Sequence, residues 1–225
     1  IHTSAKVASI EAGLKVTMFE KQCEHVIECD AVLVAVGRKA NLEEQWQGVE
    51  LEMKQGRLLV NEHYQTSVPS IYAIGDVNQE MMLAHAATAQ GKKALAHIMQ
   101  ESSAMNMELV PSCIYTRPEI ASVGLTLEMA KGQGISAIAM KALMSANGKA
   151  VLSQKDYGFV KLIVDENSNR LLGAHLMCER ASDMISELTL AIQNGLTVDQ
   201  LASIITPHPT LSEAIMAAAM QKKRK

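Results

Sequence analysis

Residues 100–110 carry no hydrophobic period and run directly into Pro111, and the patterning on their two sides differs in kind. Upstream lie a near-continuous, β-branched apolar run at 31–36, a second short run at 71–74 and a helical stretch at about 84–99. Downstream, apolar and polar residues alternate at 120–123, 159–164 and 171–176, separated by turn clusters at 146–149 and 165–169. Helical periods cover about 127–131, 181–194 (closed by Gly195) and 198–204. A break of this kind predicts a linker between two domains, and 225 residues are enough for both. Strands in one sheet with helices gathered on one side predict a separate α+β domain downstream.

Upstream, short alternating runs such as 14–19 predict an antiparallel ribbon leading into a fully buried strand at 31–36. That strand stops at the turn cluster Gly37, Arg38, Lys39, Ala40 and Asn41, of the kind that ends a strand at the edge of a ligand crevice. After a polar segment around Trp46, a short strand is predicted at 56–61 and a second buried strand at 71–74, ending in Gly75 and Asp76. A carboxylate there, with a glycine before it allowing close backbone approach, is set to accept hydrogen bonds from ligand hydroxyls. An Asx turn explains the same residue equally well. Ala84, His85, Ala86, Ala87 and Ala89 open the next helix, and such small residues let a helix N-terminus sit close to a ligand carrying negative charge. His85 alone also reads as an ordinary polar residue of a first turn.

A formal charge of -3 carries no electrostatic footprint for nucleic acid, and the one basic cluster, Lys222, Lys223, Arg224 and Lys225, reads as a solvated tail. No apolar run reaches the ~18 residues of a membrane span. Four cysteines (Cys23, Cys29, Cys113, Cys178) are scattered without a secretory signal, which predicts free thiols and a cytoplasmic location. The start at Ile1, with no initiator Met, reads as internal, so the chain is expected to be a piece of a longer protein.

Pro207, His208, Pro209, Thr210, Leu211, Ser212 and Glu213 form the densest chemical signal. The prolines keep His208 on an extended segment, so a helix can begin only after Pro209. Thr210 and Glu213 match a capping box. Glu213 is also near enough to orient the His208 imidazole, as a base and its orienter with the nucleophile elsewhere.

Residues 31–38 (AVLVAVGR), 66–76 (TSVPSIYAIGD), 115–126 (YTRPEIASVGLT) and 208–213 (HPTLSE), in this order, resemble the flavin-dependent pyridine nucleotide-disulfide oxidoreductases, and within them the dihydrolipoamide dehydrogenase branch. The resemblance implies an α/β remnant of FAD- and NAD-binding domains plus a separate α+β interface domain. Residues 1–40 would end the NAD-binding domain, 41–108 would be the return portion of the FAD-binding domain, and 109–225 the interface domain that forms a homodimer. It implies that Asp76, with Gly75, meets the ribityl chain of FAD, that Leu83, Ala84, His85 and Ala86 supply backbone contacts at the flavin ring, and that Gly37 closes the nicotinamide domain. His208 would reach the partner subunit's redox disulfide as acid-base, oriented by Glu213. A 2-oxo acid dehydrogenase complex is the implied larger assembly, and neither nucleic acid nor membrane is an expected partner.

Departures from the pattern are Ala40 in place of a proline and Gln90 where the family often has Glu. No G-x-G-x-x-G loop occurs, and Cys23 and Cys29 are separated by five residues where the family's redox pair is separated by four. These two cysteines therefore read as unpaired thiols, and no metal site is assigned to them. FAD and NAD are expected in the parent protein, while the chain alone is expected to lack dithiol oxidation. The alternatives are a noncatalytic dimerisation module without flavin, or a glutathione or mercuric reductase-like branch of the same family.

Overall fold

The computed structural model describes residues 1–42 and 48–221, so the segment around Trp46 and the basic tail at 222–225 lie outside the described residues. The chain divides into two compact units, Ile1–Lys39 and Ala40–Lys225.

The first unit is an antiparallel ribbon of β1 (Ala5–Glu11), β2 (Lys15–Glu20) and β3 (Cys23–Glu28), in the order β1-β2-β3. The run at 31–36, expected to be a buried strand, is instead unpaired, with Leu33 90% and Val36 92% exposed. A fully buried strand needs ladder partners and cover, and no strand among the described residues lies beside it.

In the second unit, β4 (Met53–Lys54) and β5 (Arg57–Leu58) form a small hairpin, shorter than the strand expected at 56–61. Residues 71–74 do not form a regular strand either. Tyr72 makes an isolated bridge to Gln65, and Thr66 N–H donates to the Ile71 carbonyl, so this segment pairs locally and leaves Ile74 half exposed. Helix α1 (Ala84–Ile98) follows. Its far end is held to the preceding loop by the Tyr72 hydroxyl at 2.8 Å from His97 Nδ1 and by the His97 ring stacked on His63 at 4.2 Å.

The larger part of this unit is a five-stranded antiparallel sheet of β6 (Ser112–Ile114), β7 (Glu119–Gly124), β8 (Ala137–Leu143), β9 (Phe159–Asp165) and β10 (Leu171–Cys178), ordered β6-β7-β10-β9-β8. Helices α4 (Ala181–Gln193), α5 (Val198–Ala202) and α6 (Glu213–Ala219) cover one face. Val160, Leu162, Leu176, Ile185, Leu188 and Ile215 are fully buried between the layers. Each such side chain contributes about 1.5–3 kcal/mol of transfer free energy, the main term holding the layers together. Helix α2 (Leu127–Gly132) packs Ala130 with Ala137 and Ile163 in a smaller cluster. This is the α+β architecture expected. The edge strand β8 escaped the sequence reading because its alternation is carried by alanines, which have weak strand preference. Residues 146–149 are not a turn between strands: Asn147 caps α3 (Gly148–Leu152), its Oδ1 accepting from Ala150 N–H at 2.9 Å.

The register depends on backbone approach at Gly173, where an added Cβ would lie 2.0 Å from the Leu125 carbonyl oxygen. Backbone cannot yield as a flexible side chain does. Gly173→Ala is expected to lower unfolding stability in urea by about 1–3 kcal/mol or more. Gly132→Ala, at a helical glycine with open space around it, is expected to be neutral or stabilising by up to about 1 kcal/mol. Equal effects of the two substitutions would contradict this packing account.

Candidate functional site

Proline on both sides of His208 keeps 206–211 out of the helix, and the chain resumes helical geometry only at Ser212, so α6 starts at Glu213. This spacing brings the Glu213 carboxylate back over the loop that precedes it. His208 Nδ1–H donates to Glu213 Oε1 at 2.8 Å, and Thr210 N–H donates to Glu213 Oε2 at 2.8 Å. The Thr210 hydroxyl donates to the Pro207 carbonyl instead of capping the helix. Only half of the expected capping box therefore forms. The carboxylate itself both caps the loop and orients the ring, which removes the choice between the two sequence readings of Glu213.

The His208 side chain is 78% exposed and that of Glu213 30%. With Nδ1 engaged by the carboxylate, Nε2 is the ring nitrogen that faces away from Glu213. The Thr210 N–H and then the His208 ring hold the Glu213 carboxyl below the ordinary carboxylate range by stabilising its charged form. Beside the pair lies a cavity of about 380 Å³ lined by Leu143, Asn147, Thr206, His208, Met216 and Met220 among others. The Thr206 hydroxyl donates to the Met216 sulfur at its wall.

A second group of expected residues sits at the start of α1. Gly75, Asp76 and Val77 form a 3-10 turn, with Asp76 exposed. Gly75 has φ +74, and a Cβ there would meet Ala87 Cβ at 3.1 Å, so a side chain would be strained and crowded. Its N–H donates to Gln90 Oε1 at 2.6 Å, and Asn78 Nδ2–H donates to the same oxygen at 3.1 Å and to the Ala73 carbonyl at 3.0 Å. Gln90 and Asn78 are buried. They fasten the Asp76 turn to α1, a role with no local signature in the sequence, where Gln90 reads only as a departure from the Glu common in the family.

Leu83 is the N-cap of α1 without a side-chain hydrogen bond, and no acidic residue occupies the first turn, so the N–H groups of Ala84, His85 and Ala86 have no intrahelical acceptor. The His85 ring is engaged elsewhere, Nε2–H donating to the Pro111 carbonyl at 2.7 Å. One carboxylate and a short row of backbone donors fit the hydroxyl-bearing, electron-rich end of a flavin cofactor. Nothing in the sequence supplies a Gly-rich loop for its phosphates. Gly37, in the amino-terminal unit, has φ +99 in an open stretch.

The cysteines form no disulfide: the Cys29 thiol donates to the Leu14 carbonyl, Cys23 is exposed, and burial, with acidic neighbours, pushes the Cys178 thiol up to about 11. Among the described residues no group of three or more His, Cys, Asp or Glu is set to hold a metal, and no helix is long and apolar enough to cross a membrane.

Two family models match the chain: pyridine nucleotide-disulphide oxidoreductase over residues 1–91, and the dimerisation domain of the same family over residues 110–219. Similar curated proteins include the dihydrolipoyl dehydrogenase of Mycoplasma pneumoniae, 41% identical over 83% of this chain and 41% of the relative. Another is the dihydrolipoyl dehydrogenase of Bacillus subtilis, 38% identical over 97% of this chain and 48% of the relative. The crystal structure of LpdA from Mycobacterium tuberculosis superposes with a TM-score of 0.84 at 29% identity, covering 96% of this chain and 48% of that one. The chain thus spans less than half the length of these proteins.

A carboxyl held below its ordinary range contributes stability above the unfolded-state pKa, and that contribution is lost as pH falls through the lower folded-state value. The Thr210 amide resonance in an NMR titration is therefore expected to move with an inflection below about 4.3, the ordinary Glu value. An inflection at or above it would contradict the contact. Gln90→Leu strands two buried donors and is expected to cost about 1–3 kcal/mol in urea unfolding, whereas a loss under ~0.5 kcal/mol would mean that the oxygen is dispensable.

Proposed function

The chain belongs to the pyridine nucleotide-disulphide oxidoreductase family, and we propose on that premise that it corresponds to the carboxy-terminal part of a dihydrolipoamide dehydrogenase-like enzyme. The reaction is oxidation of a dithiol to a disulfide with reduction of NAD. The observation that carries this reading is the His208–Glu213 pair at 2.8 Å on an exposed loop. Its geometry is that of a general acid-base whose ring is oriented from behind.

FAD, when bound, would supply the two-electron chemistry between dithiol and nicotinamide. Asp76 would accept hydrogen bonds from its ribityl hydroxyls, the backbone from Leu83 to Ala86 would meet the ring through the first-turn N–H groups of Ala84, His85 and Ala86, and Gly75 would permit close approach. Gly37 would end the nicotinamide domain. His208 Nε2 would take a proton from a substrate thiol, and Glu213 would stabilise the resulting imidazolium. In the parent protein's homodimer His208 would face redox cysteines carried by the partner subunit, in a part of that protein outside residues 1–225 and distinct from the four cysteines of this chain, with residues 109–225 as the interface domain, 41–108 as the FAD-domain return and 1–40 as the end of the NAD domain.

Exposed apolar side chains around the His208 loop support a covered face: Ile205 is 98% exposed, Met220 61% and Leu143 53%. The match to a dimerisation domain supports a second copy as what covers it. Docking of the dimer to a 2-oxo acid dehydrogenase complex follows from the branch alone. Without the redox cysteines, the isolated chain is expected to form no NADH from dihydrolipoamide.

The test is a chimera in which this chain replaces the corresponding segment of the Bacillus subtilis relative. The chimera is expected to form NADH from dihydrolipoamide, and His208→Gln to lower kcat by about 10²–10⁴-fold. A His208→Gln chimera with an undiminished rate would overturn the acid-base assignment.

A further inference from the structure

The His208–Glu213 loop is fastened from outside by one buried side chain, Asn147, and we propose that Asn147 is the positioning residue for the catalytic pair; the inference rests on the acid-base reading of His208. Asn147 is only 6% exposed. Its carboxamide is used at both ends: Oδ1 accepts from Ala150 N–H at 2.9 Å at the start of α3, and Nδ2–H donates to the Thr210 carbonyl at 3.0 Å. Thr210 is also the residue whose N–H meets Glu213 Oε2.

A single amide therefore joins two segments 63 residues apart in sequence and holds, by its carbonyl, the same residue whose N–H the carboxylate accepts. The Thr210 hydroxyl bond to Pro207 is local and cannot set where the loop lies on the domain. Helix α6 anchors the carboxylate end of the pair through buried Ala214 and Ile215, and its Met216 sulfur takes the Thr206 hydroxyl ahead of the histidine. Between these ends the loop backbone is held to the domain by Leu211 packed against the core and, through the Thr210 carbonyl, by Asn147. Asn147 and Gly148 also line the cavity beside His208, so the same side chain shapes the approach to the ring.

Asn147→Ser separates the two uses of the amide. The hydroxyl oxygen keeps an acceptor for Ala150 N–H, so α3 remains capped, but the shorter side chain does not reach the Thr210 carbonyl and adds no titrating group. In the full chain, the Thr210 amide of Asn147→Ser is expected to lose its response to Glu213 ionisation. In the active chimera, kcat is expected to fall about tenfold to a hundredfold with KM unchanged, the scale set by misplacing a catalytic group.

A wild-type Thr210 titration in Asn147→Ser overturns the positioning role, whatever the rate does. Loss of that titration with an unchanged kcat supports the positioning but overturns the acid-base reading on which its importance rests, so the two failures are distinguishable. Should the variant not fold, hydrogen exchange in the wild-type chain decides. Protection of the Asn147 carboxamide protons comparable to that of the Thr210 amide supports the proposal, and free exchange of those protons beside a protected Thr210 amide overturns it.

Discussion

The carboxylate of Glu213 is the point on which the candidate site depends. One oxygen takes the His208 Nδ1 proton and the other takes the Thr210 N–H, so orienting the ring and closing the loop are the same act. Neither interaction is worth much alone at a solvent-exposed position, where charged contacts are screened. Their shared carboxylate makes the loop and ring cooperate: losing the charge releases both. Proline on each side of the histidine adds to this by keeping the segment out of the helix, so the carboxylate at the first turn of α6 can reach back over it.

The scaffold supplies what the loop lacks. The buried layer between the five-stranded sheet and α4, α5 and α6 fixes the start of α6, and with it the Glu213 backbone. A separate polar anchor at Asn147 ties the loop to α3. At the other end of the same unit, Gln90 and Asn78 perform a similar task for Asp76, gathering a tight turn onto a helix through buried amides. Neutral amides suit both places, because each can be fully hydrogen-bonded in the interior without the desolvation cost of a charge.

Much of this was legible in the amino-acid order. The α+β character downstream of Pro111, the helix opening near Ala84 and the His208–Glu213 pairing all follow from periodicity, proline positions and spacing. What was not legible depended on distant partners. The run at 31–36 has the composition of a buried strand, but burial is a property of neighbours, and none of the described residues pairs with it. Strand β8 is written in alanines, and Asn147 followed by Gly148 has the composition of a turn although it caps a helix. Gln90 looked like a lost charge and is a buried acceptor. Polar residues whose partners lie far along the chain, 63 positions for Asn147 and Thr210, leave no local signature.

The proposed acid-base reading of His208 needs one ring nitrogen clear of the carboxylate, and with Nδ1 on Glu213 that nitrogen is Nε2. Because Nδ1 faces a carboxylate, neutral His208 should keep its proton there and leave the Nε2 lone pair open. Nitrogen NMR of the 225-residue chain, labelled at histidine, reads this tautomer directly. The account predicts that neutral His208 is predominantly protonated on Nδ1 and that Glu213→Ala, which removes the acceptor, abolishes the preference. A neutral His208 protonated mainly on Nε2 in the unaltered chain would contradict it.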